Sequence, residues 1–448
     1  MPLRTLLLAA ALACAATHSH AQVSREAAAD VERITASAPY KAAMAALSAD
    51  HDRIVEENIA LTEIPAPPFK EAAKAKAFLE LFAKLGLADA GIDAEGNVTG
   101  LRRGKGGDNA GGPLLAVAAH LDTVFPQGTD VHVKRDGTVL RAPGVGDDTR
   151  GLAVMLGIIR AMASAHVETE CDVLFVASVG EEGLGDLRGM KYLFGKGPYK
   201  DRIRTFIAID GLTPQAIMTT ALGSKRYRLT FTGPGGHSYA AFGLVNPMYA
   251  MGAFLVEFAR TEVPALTTYN IGVIGGGTSV NSIPLQSWAE IDIRSVSPAE
   301  VDKVAARMNA LAEEAAEAEN SARSTKAGRI VVKIELIGDR PAGSTSHPFL
   351  GARQPAAAAQ PGDAQRNERL VEYAWAAALA AGMEPKLTTQ STDANIAMSL
   401  GIPAITLASG SGDRMHALDE WIDVETGKSL RSMGMLLTTL LASAGLRE

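Results

Sequence analysis

Short apolar runs alternate along the chain with segments of helical spacing. "LLAVAA" (Leu114 to Ala119), "VLFVAS" (Val173 to Ser178), "FIAI" (Phe206 to Ile209) and "AITLA" (Ala404 to Ala408) carry no charge. Runs that are apolar on both sides predict strands of a parallel sheet covered on both faces. From about Ala27 to Leu61 the pattern is helical and alanine-rich. "FKEAAKAKAFLELFAKLGL" predicts an amphipathic helix ended by Gly86, and "VGDDTRGLAVMLGIIRAMA" a loop followed by a buried helix. "GNVTGLRR" reads as a strand. The glycine-rich "GKGGDNAGG" after it predicts a hairpin with the run at Leu114. Strands alternating with helices indicate an α/β domain.

The pattern changes near Leu222. "KRYRLTFTG" alternates, as a strand with one wet face should. A loop with His237 and a helix around Pro247 to Arg260 follow. "YNIGVIGGG" and "SWAEIDIRS" read as strands, "SPAEVDKVAARMNALAEEAAEA" as a capped helix and "RIVVKIELI" as a last strand. The order β-α-β-β-α-β is the ferredoxin-like pattern. The low-complexity "GARQPAAAAQPGDAQ" predicts a mobile loop. The α/β pattern then resumes with the helix "RNERLVEYAWAAALAAGM". The expected division is therefore 22–221 and 339–448 for a discontinuous α/β domain with a largely parallel sheet, and 222–338 for an inserted α+β ferredoxin-like domain. No internal repeats are found.

Composition narrows the function. The 448 residues carry a formal charge of −7, with 47% hydrophobic and 21% charged residues, the balance of a globular protein. No basic patch with interleaved aromatics is present, which argues against nucleic acid. Residues 1–21 read as a signal peptide: Arg4, the apolar "LLLAAALACAA", and a small-residue site, "SHA", ending at Ala21. Removing it takes Cys14 and leaves Cys171 alone, so no internal disulfide is possible. A large chain exported without disulfides fits a bacterial periplasm; the expected location is periplasmic or secreted. No later segment is apolar for long enough to cross a membrane.

The candidate chemistry lies where the apolar runs stop. In open α/β sheets, ligands bind beyond the carboxyl ends of the strands. His120 and Asp122 follow the first run, Glu181 and Glu182 the second, and Asp210 the third. His416 comes shortly after the fourth, and Asp147 and Asp148 precede a helix. Carboxylates gathered in one place repel one another, and a divalent cation removes that cost. Two histidines with three or four carboxylates suit Zn²⁺ and tolerate Mn²⁺ or Co²⁺. The set exceeds the needs of one tetrahedral ion and would serve two, about 3.5 Å apart. In "HxD" the aspartate is expected to accept the imidazole N–H and fix its tautomer. "DD" before a helix is also a common N-cap.

At these residues the chain resembles the M20 metallopeptidases, zinc exopeptidases and related amidohydrolases. The matching stretches are "HLDTV", "GVGDDTRG", "GEEG", "IDG", "GPGGHS", "GGTSVNSIP", "DIR" and "MHALDE", in the family's order over nearly all of the mature chain. "STDANIAMSLGIPAITL" is similar to the corresponding stretch of the peptidase T and glutamate carboxypeptidase branch. The resemblance implies a zinc-exopeptidase-like catalytic domain with a lid and dimerisation domain, and two Zn²⁺ per subunit. His120 would hold one ion, oriented by Asp122; Asp147 would bridge; Glu182 would complete the first shell; Asp210 and His416 would hold the second. Glu181 would be the general base acting on a metal-bridging water. His237 would reach a partner's site across a homodimer, Arg294 would bind a substrate carboxylate, and Asn281 would lie near the substrate. In one departure, the lysine expected third in the family's "DDK" is Thr149 here. The expected function is hydrolysis of a terminal amide bond in a short peptide. The alternatives are an N-acyl-amino-acid deacylase and a non-catalytic periplasmic binding protein on the same fold.

Overall fold

The structure is a computed structural model describing residues 23–105, 112–345 and 363–447. The expected signal peptide, residues 1–21, and the low-complexity stretch as far as residue 362 lie outside the described residues. From Asp363 onward the chain is helical, Asp363–Ala380.

The sheet that carries the site runs in the order Ala88–Ile92, Val98–Arg102, Asp172–Ser178, Leu114–His120, Ile203–Ile209, Ala404–Leu407, Ala216–Ala221, Gly343–Ser344, with Lys386–Gln390 beside Ala216–Ala221. The four strands foreseen as apolar runs are its centre and are mutually parallel. Strict alternation explains why those runs are apolar throughout. Leu115, Val117 and Ala119 enter one core, which includes the helices Thr149–Ser164 and Thr426–Ala444. Leu114, Ala116 and Ala118 enter a second core on the opposite face, with Leu187, Met190 and Ala397.

The expected hairpin does not form. Val98–Arg102 pairs antiparallel with Asp172–Ser178, and Leu114–His120 lies on that strand's other side. The true hairpin partner of Val98–Arg102 is Ala88–Ile92, five residues after the amphipathic helix Ala72–Ala83. Its burial is mixed, so it lacks the apolar signature that announces a central strand. The N-terminal helical region divides into Arg25–Ala36, Ala38–Ala49 and His51–Thr62. Ser37 makes the first break, with its hydroxyl accepting from the Tyr40 N–H just after Pro39 opens the next helix.

The second sheet is antiparallel, in the order Thr267–Gly276, Gln286–Ser295, Gly223–Thr232, Val331–Arg340. Helices Pro247–Phe258 and Pro298–Ala322 cover the face that carries Leu229, Phe231, Ala289, Ile291 and Ile293. This is the ferredoxin-like arrangement. The opposite face is polar: Arg228 pairs with Glu290, and Asp292 bonds both Arg226 and Arg294. A third, small sheet was not foreseen. It joins Lys134–Asp136 and Val139–Arg141 to Ser411–Asp413 and Trp421–Asp423, and so brings the loop bearing His416 beside the loop bearing Asp147. No described helix is long and apolar enough to cross a membrane.

The central strands set the edge from which the site is built, so they should be costly to loosen. Phe175, with no exposure, is predicted to cost about 3–5 kcal/mol on Phe175→Ala. The check is a lower urea midpoint at unchanged slope.

Candidate metal centre

Each strand end delivers its polar residue to one cleft. Leu114–His120 ends on His120 itself, and Ile203–Ile209 is followed by Asp210. Asp148 caps helix Thr149–Ser164, accepting from Gly151 N–H at 3.2 Å, and also accepts the His120 N–H at 2.9 Å. The cap reading of "DD" therefore holds for Asp148, and the Asp147 side chain is left to face the histidines. His120 Nε2 lies 3.0 Å from Asp147 Oδ1. His416 Nε2 lies 3.1 Å from Asp147 Oδ2 and 2.9 Å from Glu182 Oε1. His416 has a φ of +65°, in the left-handed region few non-glycine residues adopt.

Donor atoms from His120, Asp147 and Glu182 all lie within 4.8 Å of one another. His416 makes the fourth, through its contacts with two of them. A mixed set of imidazole and carboxylate donors at this spacing fits a Zn²⁺-like ion. Asp210 is drawn in electrostatically: burial and the nearby Asp147 push its carboxyl up to about 7.

Asp122 does something other than expected. Its backbone carbonyl, not its carboxylate, is the near partner of His120 Nδ1, at 2.9 Å against 3.8 Å. Its carboxylate instead accepts the Glu181 N–H at 3.0 Å and the Glu182 N–H at 2.8 Å. Asp122 thus fixes the imidazole from one end of the residue and the two-glutamate loop from the other.

Three participants escaped the sequence reading. Arg340 is buried at the end of the last lid strand and bonds Glu181 Oε1 at 3.1 Å, Ser391 Oγ at 3.3 Å and the Glu181 carbonyl. It lies two residues past the expected domain boundary, where a charged strand end looks ordinary. Glu420 is fully buried and accepts N–H groups from Gly144, Gly146 and Asp147 at 3.1, 2.7 and 2.9 Å. It stood inside the quoted "MHALDE" without a role. Lys74, on a helix read as amphipathic, is 1% exposed and reaches Thr149 Oγ1 at 3.4 Å. A lysine thus meets the position where the resemblance expects one, but from another part of the chain.

The lid residues separate into two groups. His237 and Asn281 sit on adjoining loops and line one cavity of about 1020 Å³. His237 Nδ1 accepts from Tyr239 N–H at 3.2 Å. None of the residues facing Asp147 lines that cavity. Arg294 lies half-exposed on the polar lid face, bonded to Asp292 Oδ2 at 2.6 Å, and makes no recorded contact with the cluster among the described residues. Arg340 instead is the lid arginine that bonds Glu181, beside the cluster.

The electrostatics follow from burial. For Asp147, burial pushes upward, but hydrogen bonds from both histidines and their charge hold its carboxyl below the ordinary range. Burial pushes His120 downward, and Asp147, Asp148 and Asp122 more than reverse it. Hydrogen bonds to Asp147 and Glu182 raise His416 to about 10. Burial lifts Glu181 well above the usual carboxylate range, aided by Glu182 and opposed by Arg340.

These shifts predict the pH dependence of metal binding. Both histidines are raised, so the metal-free protein keeps their protons at neutral pH, and an incoming cation must displace them. Affinity should rise with pH from 7 toward 10. Zinc calorimetry in two buffers of different ionisation enthalpy should show about one or more protons released per chain at pH 8; no release would contradict the assignment.

The model of peptidase family M20/M25/M40 matches residues 116–437. An uncharacterized Bacillus subtilis (strain 168) protein, YqjE, is 26% identical over 395 residues, 83% of this chain and 94% of that one. The crystal structure of aminopeptidase PepT from Bacillus cereus ATCC 10987 aligns with a TM-score of 0.65 at 21% identity, covering 88% of this chain and 99% of PepT. Bacillus subtilis YxeP, described as a dinuclear metal-binding peptidase of family M20, aligns at 0.61 and 16% identity, over 88% and 99%.

Proposed function

The chain belongs to peptidase family M20/M25/M40, and from that premise we propose that it is a dinuclear metal-dependent exopeptidase cleaving a terminal amide bond of short peptides. The observation that carries the reading is the meeting of His120, Asp147, Glu182 and His416 beside Glu181. His120 and Glu182 would hold one ion, Asp210 and His416 the other, with Asp147 between them. Zinc suits these donors. A divalent ion held here supplies an acidified water and polarises the scissile carbonyl.

The chain's own groups supply the rest. Glu181 takes a proton from the attacking water and passes it to the departing amine. Its buried setting favours the protonated form that must act as the acid in the second step. Arg340 holds Glu181 in place. Its Nε is buried without a hydrogen-bond partner among the described atoms. Asp122 holds the Glu181–Glu182 backbone, and Glu420 holds that of Asp147.

A homodimer is the proposed assembly. Tyr239, Phe242, Val280 and Leu285 are exposed around His237 and Asn281, an apolar rim of the kind that marks an interface. His237 and Asn281 would then complete the partner's site. The signal-like first 21 residues support export to the periplasm or beyond.

Glu181→Gln should retain its metal by elemental analysis and lose about 100-fold or more in kcat against di- and tripeptides. Full activity in that variant would remove the mechanism, and turnover of N-acyl amino acids alone would favour the deacylase. For the shared site, mixing an inactive Glu181 variant with an inactive His237 variant, after proven subunit exchange, should restore part of the activity. No recovery would contradict it.

A further inference from the structure

Among the described residues, one buried arginine lacks a counter-charge. Arg150 lies in the first turn of helix Thr149–Ser164 and is 2% exposed. Its Nη2 donates to Ser429 Oγ at 3.0 Å, near the start of helix Thr426–Ala444. Its Nη1 is buried with no hydrogen-bond partner. Its stem runs beside Gly410, where a Cβ would sit 3.6 Å from Nε. No described carboxylate forms an ion pair with it. Arg160, Arg188 and Arg340 also carry a buried nitrogen without a partner, but each is paired with a carboxylate. Arg160 meets Asp50 and Glu57, Arg188 meets Glu71 and Glu95, and Arg340 meets Glu181.

A charge sealed from water is costly unless an opposite charge stands beside it. Arginine does not escape by losing its proton: burial pushes the Arg150 guanidinium down to about 10, which leaves it charged at neutral pH. Both helices add to the demand. Arg150 and Ser429 stand at amino ends, where the backbone N–H groups carry partial positive charge, so a cation is disfavoured and an anion favoured. Asp148 and Glu425 cap these two helices, but they bond backbone N–H groups and neither pairs with Arg150. A second buried nitrogen without a partner, His51 Nε2, heads helix His51–Thr62, which packs Ile54 against Gly157 of Thr149–Ser164.

We propose that Arg150 anchors a buried binding site for a small inorganic anion of chloride size, held by the free Nη1 donor between the amino ends of helices Thr149–Ser164 and Thr426–Ala444. One positive charge calls for one negative charge, and a guanidinium this enclosed is reached by an ion of atomic size rather than by an organic acid. The site goes beyond the proposed hydrolysis and is separate from the metal centre. The anion steadies the helix start at which Asp148 also holds the His120 N–H.

The test uses the full mature chain, crystallised with sodium bromide so that bromide stands in for chloride. Anomalous diffraction at the bromine edge should show a peak within hydrogen-bond reach of Arg150 Nη1. Bromide found only on the protein surface, or a water without anomalous signal at Arg150, overturns the proposal. In solution, the wild type should melt about 2–4 °C higher in potassium chloride than in potassium gluconate at equal ionic strength, because an ion bound only by the folded chain stabilises it. Arg150→Met, which removes the charge and keeps much of the bulk, should melt at the same temperature in both salts. Where that variant is not recovered folded, Arg150→Gln is read by the same comparison. No salt difference in the wild type, or a difference of equal size in the variant, contradicts the site. Neither readout involves a metal, so failure here leaves the candidate metal centre standing, and failure to bind zinc leaves this site untouched.

Discussion

The site depends on crowding many carboxylates out of water in a small volume, where burial pushes several of them, Glu181 and Asp210 among them, toward the protonated form. A parallel sheet brings its strand ends to one edge, so the loops that follow must crowd together. The molecule resolves the crowding by dividing its carboxylates into two groups. Asp122, Asp148 and Glu420 turn toward backbone N–H groups and hold loops. Asp147 and Glu182 turn toward histidine rings. The first group fixes the second, and the direct contacts from His120 and His416 to the second mark where a cation would stand.

The lid takes part through its last strand and the neighbouring Gly223–Thr232. Arg340 reaches Glu181, Arg226 bonds the Gly183 carbonyl, and the Asp339 N–H bonds Asp186 Oδ1 at 2.8 Å. All three contacts fall on the loop that carries the proposed base. Lid position and base position are thereby coupled without any residue shared by the two cores. The polar lid face, with Arg226, Asp292 and Arg294, borders the same loop. The cavity with His237 and Asn281 lies elsewhere on the lid, as a site completed by a second subunit would require.

Much of this was legible in the sequence. The four central strands are apolar throughout because both faces are covered, and the lid strands alternate because one face is wet; these periodicities gave both sheets. His120, Glu182 and His416 stood out because each ends or follows an apolar run, and Asp147 because it precedes a helix. Strand neighbours were less legible. Val98–Arg102 pairs with Asp172–Ser178 across some seventy intervening positions, and local turn chemistry pointed to the nearer partner. The buried charges were hidden for a related reason. Glu420 and Lys74 look like surface charges in their own segments, and only the third dimension removes their water. The carbonyl of Asp122 could not be separated from its carboxylate by residue type alone.

The most direct measurement is anomalous X-ray diffraction at the zinc edge from crystals of the mature protein grown with zinc. The account predicts two peaks, about 3.5 Å apart, one against His120 and Glu182, the other against Asp210 and His416, with Asp147 reaching both. Zinc found only elsewhere, with the histidines still bonded directly to Asp147 and Glu182, would contradict it.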